Sequence, residues 1–331
     1  MTTKPENDVV ARFARRHRLH AMEALPWLLI VVGFFLFPDY LALGAQILAT
    51  TLFGLSVDLV LGYAGIVTLG HAAFFGVGAY TAGYLAAHGM GAPIIGLIAA
   101  TAMAGAVGLL SGLIILRAQG LSILMLTLVV CVMLQEAANK ATSITGGADG
   151  LQGMQVSPVL GLFRFDLYGK TAYWYAAIVL FLGWVVARTL VHSPFGRSLT
   201  GIRENVARMH AIGTPVFGRL LTIYTISAAM AGAAGALIAD TTGLVALNAI
   251  SVDFSGLILV MVIFGGVGRL YGAFVGVPLY MIAQDRFSQI DPTYWYFWIG
   301  LLLVVVVLFA RGGVLGLIDM VWQRVQRRRK R

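Results

Sequence analysis

S-P-F-G-R-S-L-T-G-I-R-E-N-V-A-R-M-H-A-I-G-T-P-V-F-G-R, residues 193–219, is a polar passage set between apolar runs at 172–191 and 220–242. It carries Arg197, Arg203, Arg208 and Arg219 against one acid, Glu204. Each flanking run has about the 20 residues that a helix needs to cross a bilayer. A short basic segment between two such runs belongs on the cytoplasmic side. Pro194 and Pro215 bracket it, and residues 198–211 hold neither proline nor glycine apart from Gly201, which predicts one short helix there. The passage reads as a docking element, a cytoplasmic helix hung between membrane spans and offered to a soluble partner.

The rest of the chain agrees with that frame. Of its 331 residues 59% are hydrophobic and only 11% charged, against about 25% charged in soluble domains. The composition defines a polytopic membrane protein. Its 40 glycines lie mostly inside apolar runs, where they let helices approach closely or break. The single cysteine, Cys131, rules out a disulfide framework. Cutting at Gly, Pro and charge clusters predicts spans near 25–37, 42–61, 66–87, 93–116, 121–139, 172–191, 220–242, 255–267, 271–286 and 294–311. The first and eighth are short, and the region 255–286 is cut at Gly265-Gly266-Val267-Gly268-Arg269. The expectation is therefore an all-α fold, a polytopic transmembrane helix bundle of about ten spans with both termini inside. With ten spans, only four of the 23 basic residues, Lys140, Arg164, Lys170 and Arg286, fall outside, as the positive-inside rule requires. Residues 1–24 read as a basic cytoplasmic arm and 312–331 as a basic cytoplasmic tail, with 25–311 the membrane domain. The segment at 25–37 reads as a retained span, because no small-residue cleavage site follows it. The net charge of +9 follows from this topology and does not argue for nucleic acid.

Residues 62–80, G-Y-A-G-I-V-T-L-G-H-A-A-F-F-G-V-G-A-Y, crowd glycines where the second span gives way to the third. Irregular backbone at membrane depth survives only when buried in protein or lining a watery cavity. Thr68 and His71 bring polar groups to this point, and a lone His in such a place is more often a packed residue than a ligand. Asp58, Glu136 and Asp240 lie near span ends, facing either the bundle or the interface. Residues 145–151, T-G-G-A-D-G-L, read as a tight turn in the long outer loop 140–171. There is no acid pair for catalysis, no metal-ligand cluster and no P-loop.

Four patches resemble the LivM-type permease subunits of branched-chain amino acid ABC importers. They are Gly62-Tyr63-Ala64-Gly65 with Thr68 to Phe74 and Gly76 to Tyr80; Thr145 to Leu151; Ser193 to Arg197 with Ile202 to Asn205 and Gly213; and Gly265 to Gly268 with Gly272. They come in the family's order over roughly 60–315, the first and third being specific together. Thr68, Ser122-Ile123, Arg208-Met209, Arg269 and Ala273 depart from the family's usual residues. The resemblance implies no catalysis and no cofactor in this chain, with ATP and Mg bound by two cytoplasmic ABC ATPase subunits. It also implies a second homologous permease subunit, a periplasmic substrate-binding protein, and the cell inner membrane as location. The loop 192–219 would couple to the ATPases through Gly196, Arg197, Arg203, Glu204, Ala207, Ala211 and Gly213. Gly62, Gly65, Thr68, Gly70, His71, Gly76, Gly78, Ser122, Thr127, Gly265 and Gly266 are the candidates for the translocation path. A secondary transporter would instead want coupling-ion groups near the midplane and matched breaks in two related halves. A mere membrane anchor would explain the spans but not the central polar helix.

Overall fold

The computed structural model describes residues 21–309, apart from 160, 162 and 167, together with 312–316. Most of the expected basic arm, Arg311 and all but the start of the basic tail lie outside these residues. Apart from two isolated bridges, the described residues form helices and connecting loops. Two compact units divide between Asp39 and Tyr40. The first holds α1, Leu25–Leu36, which opens with Pro26 in its first turn, where a missing N–H costs nothing.

The second unit holds α2 (Leu41–Asp58), α3 (His71–Ala87), α4 (Pro93–Ile115), α5 (Leu121–Lys140) and α6 (Lys170–His192). After these come α7 (Pro194–Glu204), α8 (Val206–Ala211), α9 (Val216–Thr242), α10 (Val252–Gly265), α11 (Gly272–Ile290) and α12 (Trp295–Phe309). Each of the ten expected apolar segments thus holds a helix. Among the described residues five helical segments are long and apolar enough to cross a membrane: Pro38–Tyr63, α4, α5, α6 and α9. The helices α1, α10 and the start of α12 are shorter and apolar.

At the centre α9 packs on α4, α3 and α2, while α2 also packs on α6 and α11, and α11 on α10. Small residues make this possible. A Cβ on Gly232 would lie 2.8 Å from the Ala100 carbonyl oxygen, and one on Gly235 would run into the Phe75 carbonyl. Gly78 faces Gly232 and Gly108 faces Ala228 at similarly close range. Backbones that approach this closely gain dispersion contacts that lipid cannot supply. Aromatic rings fill the space beside this seam: Phe53, Phe75 and Phe254 pack together with centroids 4.8–5.5 Å apart, and Phe74 meets Tyr224 at 5.5 Å.

Two expectations change, and one open reading is decided. The third span was expected from residue 66, but α3 begins at His71, and 64–70 are non-helical. The preceding helix ends in a π turn, Leu59–Tyr63, and Gly65 takes a φ of +75°, a value that glycine adopts at little cost. The single helix expected at 198–211 is two, α7 and α8. Asn205 separates them with an extended backbone, and its side-chain oxygen accepts the Arg208 N–H at 2.9 Å. Asparagine favours this capping role over a helix interior. Asp240, left open between bundle and interface, is buried in the bundle, with the Tyr175 hydroxyl 3.3 Å from its Oδ2. Glu136 is exposed and pairs with Lys140 at 3.3 Å.

Candidate functional site

The polar passage is built as a root and a tip. Ser193 caps α7 by accepting the Gly196 N–H, with Pro194 in the first turn. Gly196 is small because a Cβ there would strike the Leu190 and Val191 carbonyls. Leu199 and Ile202, three residues apart on one face, are buried. Arg219 lies 5.3 Å over the Phe195 ring, tying the start of α7 to the start of α9. Beyond Asn205, α8 buries none of its residues. Met209 folds back on Gly201, while Ala207 and Ala211 stand one turn apart in the open with Ile212 beside them, 69% exposed. Glu204 and Gly213 are exposed too, and Gly213 has a φ of +79°.

Arg203 joins this passage to the core. Its Nη1 donates to the Gly62 carbonyl oxygen, which the π turn leaves available, and its stem lies over Gly65. Gly268, in the turn between α10 and α11, donates its N–H to Asp58 Oδ1 at 2.7 Å. A Cβ on Gly62 would collide with both Asp58 Oδ1 and the Gly268 nitrogen. Gly313 closes over the same turn, where its Cβ would lie 2.5 Å from the Gly266 nitrogen. Gly62, Gly65, Arg203, Gly265 and Gly266 therefore belong to one junction of backbone breaks, with Asp58 inside it.

The other path candidates divide. Thr68, Gly70, His71 and Thr127 meet where α3 begins: the Thr127 hydroxyl accepts the Leu69 N–H at 3.3 Å, and Thr68 accepts that of Gly70 at 3.1 Å. Ser255 accepts the Ala72 N–H at 2.9 Å. The Ser227 hydroxyl donates to the Ser56 carbonyl and lies 2.8 Å from His71 Nε2. A hydroxyl has one proton to give, so His71 donates here from Nε2 and its Nδ1 is the bare acceptor. Thr68, His71 and Thr127 are at most 1% exposed. Gly76 meets Ile250, and Gly78 meets Gly232. This group packs helices together. Ser122, exposed in the first turn of α5, joins none of it.

A cleft of about 850 Å³ opens at the far end of α9 from the polar passage. Apolar wall comes from Phe75, Ala79, Ile238, Phe254 and Leu257, and polar groups from Thr50, Gln135, Asn248 and Asp253. The size and the mix suit a small amphiphilic solute. None of the path residues named from sequence lines it. Its signal lay in 243–254, between two expected spans, where Ser251 caps α10 and Asn248 and Asp253 flank that cap. The turn 145–151 serves it indirectly: Leu151 pairs with Val245 through bonds of 2.9 and 3.1 Å, and Val245 lines the cleft.

The described residues thus set tightly packed apolar helices between backbone breaks, with a polar element pinned to them, at one end and a cleft at the other. A family model described as branched-chain amino acid transport system / permease component matches residues 40–307, and the chain belongs to that family. It is 27% identical over 283 residues to the high-affinity branched-chain amino acid transport system permease protein LivM of Escherichia coli, and 26% identical to that of Salmonella typhimurium. Each match covers 79% of this chain and 66% of the relative, so the chain spans just under two thirds of their length. A probable branched-chain amino acid transport permease protein LivM of Methanocaldococcus jannaschii is 28% identical over 136 residues, 41% of this chain and 39% of that protein. No solved structure matches significantly.

Proposed function

We propose that this chain is a permease subunit of an ABC importer that carries branched-chain or similar apolar amino acids inward. A second homologous permease subunit stands beside it. Two cytoplasmic ATPase subunits bind ATP and Mg, and a periplasmic binding protein delivers the solute. The chain crosses the inner membrane about ten times, with both ends and residues 192–219 inside and 140–171 outside. The carrying observation is the build of α7 and α8, whose buried root is pinned through Arg203 to the core and whose tip buries no side chain at all. Such a tip is free to meet a partner, and the pinned root makes its displacement felt at both backbone breaks. At 1.5 Å per residue, the 27 residues of α9 carry that motion over about 40 Å toward the cleft.

Glu204→Lys and Gly213→Trp test the tip. Both are expected to abolish ATP-driven uptake by the assembled complex while leaving membrane insertion intact. Normal uptake in both variants removes the docking assignment. A secondary transporter working without ATPases is the second reading, and the meeting of the Gly62 and Gly268 breaks around Asp58 is the observation in its favour. Uptake that survives removal of the ATPases and collapses with an uncoupler would select it.

A further inference from the structure

Asp58 ends α2 and is 1% exposed. Its Oδ1 accepts the Gly268 N–H, but its Oδ2 is enclosed and has no hydrogen-bond partner among the described residues. A carboxylate oxygen left unmatched in a low-dielectric site is costly unless a positive charge stands close. If Asp58 served only to hold the Gly268 N–H, a neutral asparagine would do the same. The nearby cation is Arg203. It donates to the carbonyl of Gly62, one turn along from Asp58, and its Nη1 lies 3.2 Å from where a Cβ on Gly268 would stand. Charge and countercharge thus sit on either side of one glycine, each gripping a different break. A guanidinium has five N–H donors in a fixed fork, so a single carbonyl does not exhaust it.

We propose that Asp58 is the positioning residue for Arg203: its buried negative charge orients the guanidinium on the Gly62 carbonyl, so that the two residues act as one clamp between α7 and both breaks. Its purpose, coupling α7 to the membrane helices, rests on the permease reading. Because opposite charges attract more strongly when one of them is buried, removing either one releases the clamp, and removing the second adds little.

A double-mutant cycle tests this. Asp58→Asn keeps an oxygen for Gly268 and removes the charge, Arg203→Gln removes the cation, and Arg203→Lys restores a charge without the fork. ATP-driven uptake by the assembled complex and the melting temperature of the purified chain are both read. Each of the two charge-removing variants is expected to lower uptake about tenfold, and the double variant to be no worse than the poorer single. Arg203→Lys is expected to recover part of the loss. In the melts, the shifts should likewise fail to add. Wild-type behaviour of Asp58→Asn, or losses that multiply in uptake and add in melting, overturns the clamp. Absence of ATP-driven uptake in the unmodified complex overturns the transport reading instead, and the melting cycle then decides the clamp by itself. Gel filtration of Asp58→Asn separates a lost clamp from a failure to fold.

Discussion

Ser227 holds three helices at one atom: its hydroxyl joins α9 to the Ser56 carbonyl of α2 and to His71 of α3. Polar contacts between membrane helices average about 0.6 kcal/mol and reach about 1.7. Ser227→Ala breaks two of them and strands a fully buried imidazole, so a loss near the upper figure is expected, read as a lower melting temperature in detergent. Unchanged melting would mean that the aromatic packing around His71 holds the site without the hydroxyl. Gly70 makes a steric case. A Cβ there would lie 2.9 Å from the Thr127 carbonyl carbon and closer still to its oxygen. Gly70→Leu must push α5 away from the start of α3, at a cost of about 1–3 kcal/mol. A wild-type yield and transport rate in that variant would contradict the crowding seen here.

At the scale of the element, the root and tip of the polar passage answer to different changes. Asn205 ends α7 and caps α8, so Asn205→Ala is expected to weaken α8 by about 0.5–2 kcal/mol without disturbing α7, whose hold comes from Leu199, Ile202 and Arg203. Faster proteolysis between residues 205 and 215, with the flanking helices intact, is the readout. Equal loss of both helices would show that they fold as one. This break was hidden in the sequence because the residues on either side of Asn205 favour helix, and only the side-chain oxygen, aimed at the Arg208 N–H, decides the matter. The polar passage itself was legible, since charge and two prolines stand out between apolar runs. The junction was half legible. The glycine patches at 62–65 and 265–268 were visible as breaks, but nothing local says that residues some 200 positions apart meet around Asp58, or that Arg203 reaches them.

Across the whole molecule the apolar runs fixed the helices well, because burial in lipid imposes a length and excludes charge. All ten expected segments carry a helix. The cleft was not legible, since glycine inside an apolar run signals close backbone approach as readily as a cavity. Gly70, Gly76 and Gly78 proved to be packing contacts, while the cleft arises from the short connection between α9 and α10 and from single residues such as Thr50. Thr50 lines the cleft and, unlike Thr51, makes no bond to the preceding turn. With the one native cysteine buried, cysteines placed at Ser198 and Gln152 report sidedness cleanly. Ser198 should be labelled only from the cytoplasm and Gln152 only from outside, and labelling of both from one side would contradict the proposed topology.

The most direct test of the whole is ATP-dependent uptake of labelled leucine into proteoliposomes holding this chain with its partner permease, ATPases and binding protein. Saturable uptake that isoleucine and valine compete, and that vanishes with Gly213→Trp, is the expected result. Leucine entry that continues without ATP, or an ATPase that the loaded binding protein never stimulates, would contradict the assignment.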